Sequence, residues 1–155
     1  MSNEFITKEV STIVKDEKFE FPLNIAMATA WILGNFKGIN LKILDVSKTS
    51  SLTDFFVLAS ATNPTMAQSM ADVIVKQLKD HGYEMISREG SQKGDDWILL
   101  DFGDIIVHVF LDISRNVYDL DNLWENAVEV EIPNSYYFSS EDEEKSEDAT
   151  GKSYF

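Results

Sequence analysis

The stretch Trp97 to Phe110, WILLDFGDIIVHVF, constrains the fold more than any other part of this chain. It reads as two apolar strands joined by a tight turn at Gly103-Asp104. Before the turn, Trp97, Leu99 and Asp101 alternate with Ile98, Leu100 and Phe102; after it, Ile105, Val107 and Val109 alternate with Ile106, His108 and Phe110. Glycine tolerates positive φ and aspartate is at home in turns, so the connection suits a hairpin. Both faces of both strands are mostly apolar, and β-branched residues crowd the second. Such strands are central and covered on both sides. Two residues do not fit a pure core: Asp101, late in the first strand, and Trp97, which opens it beside Asp95 and Asp96.

The rest of the chain supplies the partners of this hairpin. Residues 1–20 are mixed and charged; Phe5, Ile6, Val10, Ile13 and Val14 make one short amphipathic helix or an arm, added to the domain as an N-terminal extension. Pro22 to Phe36 is a helix, with proline at the first position, where its missing N–H does no harm. Leu23, Met27, Trp31 and Ile32 give it one core-facing stripe, and Gly34 or Gly38 ends it. Leu41 to Val46 is a strand, residues 47–53 a polar loop, and Phe55 to Ala61 a second strand. Asn63 caps a helix that opens on Pro64, runs to about His81 and stops at Gly82. Tyr83 to Ser87 is a third strand. After the hairpin, Asp112 to Trp124 is short and helical or irregular, returning Tyr118, Leu120, Leu123 and Trp124 to the core. Ser139 to Asp148, SSEDEEKSED, holds no apolar residue and is expected to stay disordered. The expected organisation is one α/β domain over 21–132, with a mixed sheet flanked by helices, and an acidic tail over 133–155. The helix at 64–81 would be the crossover of a βαβ unit.

At 155 residues the chain has room for one domain with a real core. Its formal charge of -14 argues against direct binding to nucleic-acid backbone and favours a basic protein partner. It has no cysteine, which excludes disulfides and thiolate chemistry. No apolar run approaches a membrane span, and the start MSNEFITKEV is neither a secretory signal nor a transit peptide, so a cytoplasmic protein is expected.

Four enzymatic readings fail on chemistry. Asp101-Phe102-Gly103 matches the metal-binding triplet of protein kinases, but no glycine-rich loop or His-Arg-Asp motif accompanies it. Ser60, His108 and Asp101 could form a nucleophilic triad, yet Ser60 lacks the glycine-flanked elbow, and His108 alternates with Ile106 and Phe110 as a buried, hydrogen-bonded core histidine would. Asp95, Asp96, Asp101 and Asp104 offer carboxylates that could bind Mg²⁺, but Asp95 and Asp96 lie ~20 Å along extended chain from Asp104, too far to share one ion. No GxGxxG or Walker pattern is present, so no cofactor is expected. A binding module is the better class.

The chain from about Pro22 to Ala127 resembles the ribosomal silencing factor family, RsfS or Iojap. The matching pieces, in order, are Leu44-Asp45-Val46; Leu52 to Val57; Ala71-Asp72; Glu89-Gly90; Trp97 to Asp104; Val107 to Phe110; and Arg115 with Tyr118, Leu120, Leu123 and Trp124. No single piece is specific; their order and spacing are. The resemblance implies a mixed-sheet fold related to nucleotidyltransferases but without their catalytic residues. It implies binding to the large ribosomal subunit through that subunit's fourteenth protein, a block on subunit joining, a tie to late large-subunit assembly, and dimers of the free protein. It places the partner contact on Trp97, Asp101, Phe102 and Asp104, where aromatic anchors ringed by acid suit a basic protein. The chain departs from the family pattern at Asn63-Pro64-Thr65, where an arginine is usual, and at Ile113-Ser114, where a glutamate is usual. A nucleotide-handling enzyme on the same fold is the alternative.

Overall fold

The computed structural model describes residues 2–90, 92, 94–117 and 119–137. Its centre is a mixed six-stranded sheet in the order β3-β4-β5-β2-β1-β6. The elements are α1 (Asn3–Val14), α2 (Leu23–Asn35), β1 (Ile39–Asp45), β2 (Phe55–Ala61), α3 (Pro64–Asp80), β3 (Ser87–Glu89), β4 (Trp97–Asp101), β5 (Ile105–Leu111), α4 (Asp112–Val117) and β6 (Val128–Val130). The hairpin forms as the alternation predicts: β4 pairs antiparallel with β5, Trp97 opposite Phe110 and Asp101 opposite Ile106. Gly103 takes φ 87 in the turn, a conformation that side chains rarely adopt. β5 pairs parallel with β2. β3 runs the same way as β2, with β5 and β4 between them, so the connection through α3 crosses two strands.

α2 and α3 cover one face, and α1 packs outside α2. α3 begins as its sequence dictates: the Asn63 side chain accepts a hydrogen bond from the Met66 N–H at 2.8 Å, with Pro64 in the first turn. α2 departs from the one-stripe expectation. Every residue from Asn24 to Gly34 is buried, because the helix lies between the sheet, α1, α3 and the C-terminal turn at Asn134–Tyr136. Gly34 does not end the helix. It lies inside it, and a Cβ there would meet the Tyr136 carbonyl oxygen at 2.0 Å. The helix ends at Asn35 with Phe36 as its cap; just beyond, Lys37 takes φ 65 and the Gly38 N–H bonds the Leu33 carbonyl at 2.8 Å.

Four further expectations are corrected. Residues 3–14 are built into the domain rather than added to it: Ile6, Val10 and Ile13 belong to the main core, and Gln77 Nε2 of α3 donates to Thr7 Oγ1. The third strand is Ser87–Glu89, not Tyr83 to Ser87, because antiparallel pairing with β4 starts at Ser87 opposite Asp101. Tyr83 and Met85 pack on the core instead of pairing. The fold also runs past residue 132: Tyr136 is buried, and Tyr137 Oη donates to the Leu41 carbonyl. Leu123 is 67% exposed rather than core. Tyr118 and the acidic run at 139–148 lie outside the described residues. Among those described, no helix is long and apolar enough to cross a membrane.

Candidate functional site

The alternation of β4 sends Ile98 and Leu100 into the helix-side core and Trp97, Leu99 and Asp101 to the opposite face. Register adds Ile106, His108 and Phe110 from β5, Phe56, Leu58 and Ser60 from β2, and Lys42 and Leu44 from β1. At the centre is an aromatic layer. The Trp97 ring lies 4.8 Å from Phe110 and 5.6 Å from His108, and Phe56 meets the imidazole edge-on at 5.0 Å. Trp124 closes over the layer, 5.6 Å from His108 and 5.9 Å from Phe56.

Trp124 is brought there by a strap made of α4 and a short helical turn at Leu120–Trp124. Arg115, only 1% exposed, ties it down. Its Nε and Nη2 donate to the two carboxylate oxygens of Asp121 at 3.1 and 3.0 Å; Nη1 donates to the Asn40 carbonyl at 2.7 Å and to Ser60 Oγ at 3.1 Å. Hydrogen bonding to Arg115 holds the Asp121 carboxyl below the usual carboxylate range. Ser114 Oγ donates to Asp96 at the other end of the strap.

His108 is 5% exposed, and burial pushes its pKa down to about 4. It is therefore neutral at physiological pH. Its Nδ1 accepts a hydrogen bond from Trp97 Nε1 at 3.0 Å, so the proton resides on Nε2, which has no partner among the described residues. The buried, hydrogen-bonded core histidine expected from alternation is present, bonded through one nitrogen. The triad does not assemble: Ser60 bonds Arg115, His108 bonds Trp97, and the Asp101 carboxylate accepts from the Gly103 N–H at 2.8 Å.

Of the four residues assigned to partner contact, three are accessible. Trp97 and Asp101 are half-buried on the strap-side face, and Asp104 is exposed at the hairpin turn. Phe102 is corrected: it is 7% exposed and packs in the helix-side core, on the side that alternation shares with Ile98 and Leu100. Leu99 and Ile106, both half-buried, lie on the same face as Trp97. Glu89, opposite Leu99, adds a carboxylate to the rim. Only the period-two spacing of 97, 99 and 101 marked Leu99. Nothing local marked Arg115 as buried. A separate cleft of about 400 Å³ lies at the start of α3, with Ala67, Ile98 and Val109 on its floor and Asp95 and Asp96 on its rim. Among the described residues no three His, Asp or Glu side chains are placed to hold a metal ion.

Residues 22–154 match the family model described as ribosomal silencing factor during starvation. The chain belongs to the ribosomal silencing factor family. It is 30% identical over 132 residues to ribosomal silencing factor RsfS of Halalkalibacterium halodurans, covering 85% of this chain and 96% of that one. It is 31% identical over 124 residues to the chloroplastic protein Iojap of Zea mays, covering 79% of this chain and 52% of that one, so it spans about half the length of the maize relative. A mouse relative, mitochondrial assembly of ribosomal large subunit protein 1, is 32% identical over 85 residues, covering 53% of this chain and 37% of that one. The fold of this ribosomal silencing factor family member also matches a crystal structure of a Chromobacterium violaceum protein. The TM-score is 0.59 at 27% identity, over 77% of this chain and 86% of that one.

Proposed function

We propose that this chain is a ribosomal silencing factor that binds the large ribosomal subunit through its fourteenth protein. By occupying the face that meets the small subunit, it blocks subunit joining and lowers translation. The reading rests first on the open end of the strap-side face. There Trp97, Leu99, Ile106 and Phe56 present half-buried apolar surface, with Asp101, Asp104 and Glu89 around it. An aromatic and aliphatic centre with an acidic rim fits a basic protein surface, and the charge of -14 speeds encounter with it. The family supports a ribosomal role, and the name of the mouse relative points to the large subunit. The role is binding rather than catalysis: the carboxylate of Asp101 caps its own turn, and His108 serves Trp97.

Sedimentation with purified subunits tests this. The chain is expected to travel with large and not small subunits, less so as salt rises, and Trp97→Ala is expected to weaken the association. Absence of association with large subunits at low salt would end the proposal.

A further inference from the structure

We propose that His108 is the positioning residue of the docking surface: its Nδ1 fixes the Trp97 indole in the orientation that the partner meets. The inference rests on the docking role given to the strap-side face and adds how its main aromatic residue is held.

Trp97 and His108 are not directly opposed across the hairpin. Trp97 pairs with Phe110, and His108 pairs with Leu99, so their contact is diagonal. Diagonal neighbours are within reach of aromatic side chains, yet nothing in the strand register forces the indole to turn toward the imidazole. The hydrogen bond from Nε1 to Nδ1 at 3.0 Å selects that orientation. It also directs the one polar atom of the indole inward to a side chain that is 5% exposed. The exposed remainder of the ring is then carbon, and a partner can cover it without stranding an N–H.

The imidazole is itself held from several sides. Phe56 of β2 meets it edge-on, Phe110 lies nearly parallel to it at 5.9 Å, and Trp124 of the strap covers it at 5.6 Å. Leucine or phenylalanine would fill this site without desolvating a polar ring. Burial of a ring whose charged form it disfavours is the expected result of keeping an acceptor here. The acceptor serves Trp97, since Nδ1 has no other donor among the described residues. A side chain ordered before the partner arrives loses less freedom on binding, so the hydrogen bond acts on affinity through Trp97.

The test uses the full chain carrying His108→Leu, His108→Asn, Trp97→Ala, or Trp97→Ala with His108→Leu. Two quantities are read: the Trp97 indole N–H resonance in a ¹⁵N-labelled sample, and affinity for purified large ribosomal subunits. Asparagine places an amide oxygen near the position of Nδ1, whereas leucine offers no acceptor. His108→Leu is expected to shift the indole resonance, speed its hydrogen exchange and weaken subunit binding by about fivefold to tenfold, the size carried by one neutral hydrogen bond. His108→Asn is expected to restore both. In the Trp97→Ala background, His108→Leu is expected to change affinity no further. Wild-type affinity in a folded His108→Leu chain would overturn the positioning role while leaving the docking reading intact. So would an equal loss with and without Trp97. If the wild-type chain fails to bind large subunits, the docking reading falls and takes this proposal with it.

Discussion

On the helix side of the sheet, Ile98, Leu100, Ile105, Val107 and Val109 are all buried, and each meets another aliphatic side chain of the main core. On the strap side the same two strands present Trp97, Leu99, Asp101, Ile106, His108 and Phe110, and burial grades from complete at Phe110 to half at Trp97 and Leu99. The first face carries no polar side chain on these strands. The second carries an imidazole, a hydroxyl at Ser60 and a guanidinium from the strap, linked to fixed partners. Helices close the first face by continuous contact. A thirteen-residue strap closes the second only in part, because one buried arginine anchors it and its own apolar residues Ile113, Val117 and Leu123 point to solvent. One face holds the fold together; the other holds an aromatic layer in place and leaves its edge uncovered.

Substitutions separate the two faces by size of effect. Leu100→Ala empties a fully buried position on the helix side. It is expected to lower unfolding free energy by about 4 kcal/mol in urea denaturation, with little change in affinity for subunits among the molecules that remain folded. The next effect is one of pH. His108 is neutral when folded, with a pKa of about 4 against 6.5 when unfolded. Below pH 6.5 the unfolded chain therefore binds a proton that the folded chain excludes. Stability falls as pH drops toward 4, by about 3 kcal/mol in all. The contribution of Asp121, whose folded pKa is lowered, is present above its unfolded value of 3.8 and is lost only below that. Denaturation midpoints from pH 7 to pH 4 should thus slope downward in the wild type and flatten in His108→Leu. Arg115→Met is expected to remove about 2 kcal/mol, since Ser60 Oγ and the Asn40 carbonyl lose their donor while the half-exposed Asp121 regains water and keeps Lys42 at 3.0 Å. Faster hydrogen exchange confined to the strap would accompany it.

The sequence exposed these two faces unequally. The hairpin was legible because strict alternation and a Gly-Asp turn agree, and α3 because a capping asparagine, a first-turn proline and a closing glycine mark its ends. α2 was legible as a helix but not as a fully enclosed one. Its companions, α1 and the turn at Asn134–Tyr136, come from opposite ends of the chain. β6 and β3 are three residues each, too short for a period to register. At the site, period two groups 97, 99 and 101, and Asp101 among them is a local sign that this face meets solvent, but how far the strap covers it is not written locally. That is decided by Arg115 reaching the Asn40 carbonyl, 75 residues away in sequence. Phe102 was legible too: alternation groups it with Ile98 and Leu100, whose core it shares, and only the resemblance placed it at the partner contact.

The proposed function assigns the separation of ribosomal subunits to the uncovered edge of the strap-side face, with Trp97 at its head. The direct measurement is the fraction of joined ribosomes formed from purified large and small subunits, read on a sucrose gradient with wild-type chain or folded Trp97→Ala present. Wild type is expected to suppress joining, and Trp97→Ala to suppress it far less. Joining unaffected by the wild-type chain, or suppressed equally by both, would contradict that assignment.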